Sequence, residues 1–300
     1  MAKFKSGFAA IIGRTNVGKS TLINSLVGEK VAITANKSQT TRTAIRAIVN
    51  RENSQIIFID TPGIHKPKTK LGETMLETAF CSIPEVDVVI FIIDAAANKI
   101  GKGDRIILEK IKEANKKTIL IINKIDLIKK EKLIEIINLY KEEYNFEAII
   151  PISAVKNKSR ETILDEIEKH LSEGPAYYDI EEYTDQTLRQ LVEEIIREKA
   201  LLLLDEEVPH GIYVETEKMQ IRKTSKNEDI YDVEATIYCL RDSHKGIIIG
   251  KNGAMLKKIG TLARKELEEM IGTKINLKLW IKVREKWQDD SKIVKKFENK

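Results

Sequence analysis

An open, doubly wound α/β domain followed by a smaller α+β domain is the architecture the sequence predicts, and three observations carry that expectation. Short runs rich in Ile and Val alternate with amphipathic stretches from Phe8 to about Leu171. Turn-forming and polar residues cluster directly after those runs, where open α/β sheets hold their ligands. Near residue 173 both the order of elements and the sign of the charge change.

The apolar runs are Phe8–Ile12, Ile56–Ile59, Val88–Ile93, Thr118–Ile122 and Ala148–Ile152. Each is apolar on successive positions, the pattern of parallel strands covered on both faces. Helical segments such as Thr21–Val27, Asp104–Ala114 and Lys130–Glu143 lie between them. Residues 173–186 hold Gly174, Pro175, three tyrosines and five acidic residues without helical period, and read as an acidic linker that packs on something. Beyond it, Leu188–Leu204 reads as a helix, and Ile212–Ile221 and Val233–Leu240 as strands. Lys245–Ile249 and Ala254–Ile271 are helical pieces, the longer with a stripe of Leu256, Ile259, Leu262, Ala263, Leu267 and Met270. Residues 275–284 alternate apolar and polar, which predicts a half-buried antiparallel strand. The expected domains are thus 1–172, the linker 173–186, and 187–300 with its C-terminal tail.

With 42% hydrophobic and 32% charged residues and no stretch near 18 consecutive apolar residues, the chain is expected to be soluble and cytoplasmic. Cys81 and Cys239 are the only cysteines and lie far apart, so they read as reduced core thiols. Net charge is +7 over residues 1–172, −10 over 173–240 and +8 over 241–300. The last segment is therefore a candidate polyanion-binding surface.

Gly13-Arg14-Thr15-Asn16-Val17-Gly18-Lys19-Ser20, with Thr21 opening the next helix, matches a phosphate loop between strand and helix. There backbone N–H groups and the helix N-terminus face phosphates, Lys19 bridges β- and γ-phosphate oxygens, and the Ser20 hydroxyl reaches Mg2+. Asn123, Lys124 and Asp126 follow another strand end. The Asp126 carboxylate suits the ring N–H and amino group of guanine, and adenine lacks both donors, so GTP is selected over ATP. Lys124 would lie along the base, Asn123 would tie its loop to the phosphate loop, and Ser153-Ala154 would offer an N–H to the guanine oxygen. Asp60-Thr61-Pro62-Gly63 places Asp60 near the metal through water and the Gly63 N–H toward the γ-phosphate. In Gln39-Thr40-Thr41-Arg42 a threonine should ligate Mg2+, Thr41 ahead of Thr40. These two loops depend on the γ-phosphate and read as switches. Lys19, Thr41, Gly63 and Asn16 are the candidate catalytic groups. Ile64 stands where Ras-like enzymes carry a water-orienting glutamine, so slow turnover is expected. His65 reads as a loop residue and not a base.

Gly250-Lys251-Asn252-Gly253 is a GxxG loop. With 15 glycines in the chain, that spacing arises by chance about 0.75 times, so its weight comes from joining two helical pieces in the +8 segment. Such a loop lets phosphates approach bare backbone. Lys245, Lys251, Lys257 and Lys258 are candidate phosphate contacts, and Ile249 lies beside Ile247 and Ile248 as a possible floor under bases. At least two of these isoleucines are expected in the core.

GRTNVGKS, QTTR, DTPG, NKID and a C-terminal IIIGKNG module in the order of a type II KH domain together resemble the Era GTPases over nearly the whole chain. The resemblance implies an α/β doubly wound P-loop GTPase domain followed by a small α+β KH type II domain. It further implies Mg2+-dependent GTP hydrolysis to GDP, binding near the 3′ end of small-subunit ribosomal RNA, a role in assembling that subunit and, in some members, peripheral membrane association. A monomer is expected. Asn16 resembles a residue that holds K+ at the site of an arginine finger in some related GTPases, which makes K+ a candidate second cofactor.

Overall fold

The computed structural model describes residues 3–35, 37, 40–97, 99–156 and 159–298. Gln39, named above with the first switch loop, lies outside these residues. Two compact units emerge, with main bodies at residues 40–185 together with 3–34, and at 186–293.

The first unit is built on β1 (Lys5–Ile12), α1 (Lys19–Val27), β2 (Ile45–Arg51), β3 (Ser54–Asp60), α2 (Lys70–Cys81), β4 (Val88–Asp94), α3 (Lys102–Ala114), β5 (Thr118–Asn123), α4 (Lys130–Lys141), β6 (Ala148–Pro151), α5 (Arg160–Glu168) and β7 (Ser172–Glu173). Strand order is β2-β3-β1-β4-β5-β6. β1 is parallel to both β3 and β4, and the chain steps to opposite sides of β1 to reach them. The carboxyl end of β1 is therefore the topological switch point, where a crevice must open. Both sheet faces are covered, as the uninterrupted apolar runs demand. Ala9, Ile11, Ile90 and Ile92 meet Leu22, Ile23 and Leu26 of α1 and Ile163, Leu164 and Ile167 of α5. The alternate residues Ala10, Ile12, Val89 and Phe91 meet Ala79, Ile107, Leu108, Ile111 and Ile136 on the other side.

Two expectations for this unit are corrected. Cys81 is exposed, because it closes α2 on the face turned from the sheet; only Cys239 is buried. Residues 173–185, read as part of a linker, group with the first unit. β7 pairs antiparallel with β1, and the following strap lies along the free edge of β2, where Ile48 N donates to Tyr183 O at 3.0 Å. Gln55, wholly buried, donates through Nε2 to Tyr178 O at 2.8 Å and accepts from Tyr177 N at 2.7 Å. Covering the edge satisfies backbone groups that would otherwise template aggregation.

The second unit runs α6 (Leu188–Leu203), β8 (Tyr213–Lys223), β9 (Asp229–Cys239), α7 (Asp242–Ile249), α8 (Ala254–Ile271) and β10 (Lys274–Val283); α9 (Ser291–Glu298), expected as this domain's tail, ends the described chain and groups with the first unit from Val294 onward. α6 starts at Thr187, whose hydroxyl accepts from Gln190 N while the Gln190 side chain accepts from Thr187 N, a reciprocal cap. The sheet order is β10-β9-β8. β10 is parallel to β9, not antiparallel as expected. Alternation reports that one face is buried and says nothing of direction; the two intervening helices make a crossover, and a crossover returns the chain in parallel. Trp287 is fully buried and donates from Nε1 to Gly211 O at 2.9 Å, closing the end of this core. On α6 and α8 the Lys199 ammonium is held by Glu198 at 2.8 Å and by Glu266.

Candidate functional site

The loop after β1 shows why its residues are spaced as they are. Gly18 takes φ +101°, a left-handed conformation that costs glycine little, and this lets the chain turn into α1 beside the Asn123 amide. Lys19, 7% exposed, folds back over its own loop and donates to Gly13 O at 3.2 Å and Arg14 O at 3.0 Å. Burial drives its pKa down to about 8, with Asp60 pulling in the opposite direction. A phosphate placed over the loop would replace two neutral carbonyls by anionic oxygens and restore the full charge.

Three oxygens from three segments meet next to it. Ser20 Oγ lies 3.0 Å from Thr41 Oγ1 and donates to Asp60 Oδ2 at 3.2 Å, while Thr41 Oγ1 donates to the same carboxylate oxygen at 3.1 Å. Thr41 and Asp60 are buried. Hard oxygen donors within such short reach of one another fit a Mg2+ that takes most of its shell from water and phosphate. Thr41 supplies a threonine oxygen to this cluster. Gly63 packs against Thr15, and a Cβ there would meet Thr15 Cα at 2.9 Å. Ile64 N donates to Gly13 O at 3.1 Å, which zips the Asp60–Gly63 loop onto the phosphate loop. The Ile64 side chain is buried in the apolar cluster under α2 and α3 and offers no polar atom to the crevice. The His65 ring nitrogen Nδ1 sits 3.0 Å from Gly63 O, a loop contact. Asn16 is exposed with φ 63°, and its carbonyl accepts from Lys124 Nζ at 2.7 Å.

The base side is assembled around Asn123, 3% exposed at the end of β5. Its Nδ2 donates to Val17 O at 2.8 Å, and its Oδ1 accepts from Lys124 N at 2.8 Å and from Ala154 N at 2.9 Å. One amide thus joins three loops. Of the Ser153-Ala154 pair, expected to offer an N–H to a guanine oxygen, the Ala154 N–H is donated to Asn123. Asp126 is exposed at the rim, and the nearby Ser153 hydroxyl, with Lys156 and Lys124 adding their charge, holds its carboxyl below the usual range. It stands ionised at neutral pH.

In the second unit the GxxG loop projects between α7 and α8. Gly250 (φ +69°) and Gly253 (φ +77°) bracket Asn252 (φ 53°), three departures within four residues from right-handed geometry that glycine and asparagine tolerate best. A Cβ on Gly250 would meet the Met255 side chain at 2.8 Å; one on Gly253 meets nothing. Lys251, Asn252, Lys257 and Lys258 are exposed, while Lys245 and Ile249 are half-buried. Only Ile248 of the three isoleucines belongs to the core, Ile247 being 51% exposed. The expectation of two core isoleucines fails because three successive helical positions span 200° of a helix, and one face alone meets the sheet. Leu262 is likewise 40% exposed, off the buried stripe of α8.

Family models match on both units, that of the 50S ribosome-binding GTPases over residues 8–124 and that of KH domains over residues 207–288. GTPase Era of Caldanaerobacter subterraneus subsp. tengcongensis is 50% identical over 294 residues, spanning 98% of this chain and 97% of that protein. This chain belongs to the Era family of GTPases. GTPase Era of Clostridioides difficile is also 50% identical, over 98% of both chains. A crystal structure of Era in complex with MgGDPNP and nucleotides 1506–1542 of 16S ribosomal RNA superposes with a TM-score of 0.92 at 41% identity, over 98% of both chains. A variant of Aquifex aeolicus Era bound to GDP·AlF4− superposes equally well at 39% identity, over 98% of this chain and 99% of that one.

As a member of the Era family the chain is a GTPase, with a P-loop domain followed by a KH domain. Three residues that sequence reasoning passed over support the Era nucleotide site. Asp94, at the end of β4, pairs with Lys124 at 2.7 Å and holds it over the loop; its position after an apolar run was the available signal. Asn24 of α1 accepts from Val31 N and Ala32 N and donates to Ala32 O, fixing the start of the first switch segment. Asp104 of α3 reaches the phosphate-loop residue Arg14. No helix among the described residues is long and apolar enough to cross a membrane.

Proposed function

We propose that this Era-family chain is a Mg2+-dependent GTP switch whose KH unit binds single-stranded small-subunit ribosomal RNA near its 3′ end and assists maturation of that subunit. The observation that carries the reading is the meeting of the Ser20, Thr41 and Asp60 oxygens beside Lys19, because each comes from a segment that a triphosphate would order together. The full-length match to an Era crystallised with MgGDPNP and a 16S segment supports the same partners here.

In this reading Lys19 leaves the carbonyls of Gly13 and Arg14 for the β- and γ-phosphates, and the Gly63 N–H faces the γ-phosphate. Asp126 reads guanine, and Lys124 flanks the base. Bound Mg2+ would supply charge neutralisation across the phosphates, held by Ser20 and Thr41 directly and by Asp60 through water. Thr41 and Gly63 lose their reason for order when the γ-phosphate leaves, which makes hydrolysis the release step. Ile64 contributes nothing to water activation, so intrinsic turnover is slow. Lys251, Lys257, Lys258 and Lys245 meet RNA phosphates along the GxxG loop, with Asn252 and Ile249 at its rim.

Crosslinking RNA to the protein in cells and sequencing it, with Gly250→Asp plus Gly253→Asp as the comparison, tests the RNA half. The 3′-end signal is expected in the wild type and absent from the variant; its persistence would overturn KH-mediated binding. Coupling is reciprocal, so cognate RNA must change GTP affinity or turnover. A second reading concerns K+: Asn16 stands exposed and left-handed in the phosphate loop, and hydrolysis is expected to run faster in KCl than in NaCl at equal ionic strength. Equal rates would remove K+ from the mechanism, and Asn16→Ala retaining the difference would remove Asn16 as the residue that holds it.

A further inference from the structure

Arg14 and Asp104 form a contact that the reaction as described does not use. Asp104 sits in the first turn of α3, 2% exposed, and burial pushes its carboxyl pKa up against the opposing pull of Arg14. Its Oδ2 accepts from Gly101 N at 3.1 Å and from Arg14 NH1 at 3.3 Å. Its Oδ1 is buried without a hydrogen-bond partner among the described residues. An orphaned carboxylate oxygen is costly, and such groups persist where a second state supplies the partner. The Arg14 stem runs across Gly101 and Gly103: a Cβ on Gly101 would meet Arg14 NH1 at 2.9 Å, and one on Gly103 would meet its Cγ at 3.1 Å. Two glycines thus hold open the lane the guanidinium uses.

The other end of Arg14 matters equally. Its backbone pairs in parallel with Ile64, and Ile64 N is bonded to Gly13 O. Arg14 therefore joins α3 to the seam between the phosphate loop and the Gly63 loop. We propose that Asp104 is a positioning residue for hydrolysis: through Arg14 it sets the depth of that seam, and the single hydrogen bond seen here becomes a bidentate one when the γ-phosphate draws the seam closed. The guanidinium carries parallel N–H groups that match both carboxylate oxygens, and Oδ1 is the oxygen still available. A shift of a few tenths of an ångström at Gly63 then acts on the transition state more than on ground-state binding. The inference rests on the proposed Gly63 contact with the γ-phosphate.

The test compares Asp104→Asn, Arg14→Gln and the double variant in the full chain, reading the Kd of a fluorescent GDP analogue and the single-turnover rate of GTP hydrolysis. Asp104→Asn keeps the shape and the Gly101 bond and removes the charge. The expected result is a Kd within about threefold of wild type and a rate about tenfold lower, with the double variant no slower than Arg14→Gln alone. Arg14→Lys, a point charge without the fork, is expected between the two. Gly103→Ala crowds the Arg14 stem without touching either charge, and its expected partial loss of rate keeps the test open should Asp104→Asn fold poorly. Additive losses, a Kd that rises in step with the rate loss, or an unaltered rate in Asp104→Asn would each overturn the proposal. A wild type that neither binds nor hydrolyses GTP would sink the nucleotide reading instead.

Discussion

The two units handle phosphate in opposite ways. In the first, the groups that would hold the nucleotide's phosphates and its loops are buried and already hydrogen-bonded within the site: Lys19, Thr41, Asp60 and Asn123 are all under 8% exposed. In the second, Lys251, Asn252, Lys257 and Lys258 stand in solvent around a loop of glycines. A buried, converging site gains strength from low dielectric and loses it all at once when a member is removed. An exposed cationic rim spreads its energy over many weak, salt-screened contacts, each replaceable.

The largest expected effect sharpens this contrast at the guanine end, where the first unit turns an exposed carboxylate to its ligand. Asp126→Asn removes the charge from two charge-assisted hydrogen bonds and is expected to weaken GTP binding by about 10^3-fold. The same variant should gain affinity for xanthosine triphosphate, whose 2-oxo group accepts from the new amide. Equilibrium binding of both nucleotides checks it; a loss of GTP binding without that gain would point to a damaged loop and not to base reading.

At the KH loop the corresponding experiment must separate charge from strain. Gly253 has φ +77°, and a Cβ there meets no neighbour, so Asn and Asp fit equally well and both tolerate that conformation. Gly253→Asp is expected to weaken RNA binding about tenfold relative to Gly253→Asn at 0.1 M salt, the gap shrinking as salt rises. Equal affinities would mean that RNA phosphates do not pass the loop.

How much of this was legible beforehand divides along the same line. The fold class and the grouping of Lys19, Ser20, Asp60 and Asn123 followed from strand ends plus fixed spacing, since a parallel sheet delivers every carboxyl end to one rim. Strand β2 was missed because an edge strand pairing antiparallel carries Arg46 and Asn50 outward and lacks the unbroken apolar run of its neighbours. The direction of β10, the exposure of Cys81, and the outward faces of Ile247 and Leu262 were out of reach for one reason: periodicity reports that a face is buried, and only packing decides which face and against what. Asp104 was hidden for a different reason. Its role depends on a side chain 90 residues away and on the room left by Gly101 and Gly103, none of which a linear pattern encodes.

The smallest expected effect probes the buried site in its resting form. Burial lowers the Lys19 pKa to about 8, and a triphosphate must raise it again. Above pH 8 binding therefore takes up a proton, and GTP affinity should fall as pH rises, about threefold between pH 7.5 and 8.5. Linkage gives the opposite sign for folding without nucleotide: the unfolded chain, with an ordinary lysine, binds more protons there, so this residue's contribution to stability grows from pH 8 toward 10.5. Calorimetric titrations in buffers of different ionisation enthalpy measure the proton uptake directly. A GTP affinity that is flat across this window would mean that Lys19 is already charged in the empty site, and that its contacts with Gly13 O and Arg14 O are worth as much to it as phosphate.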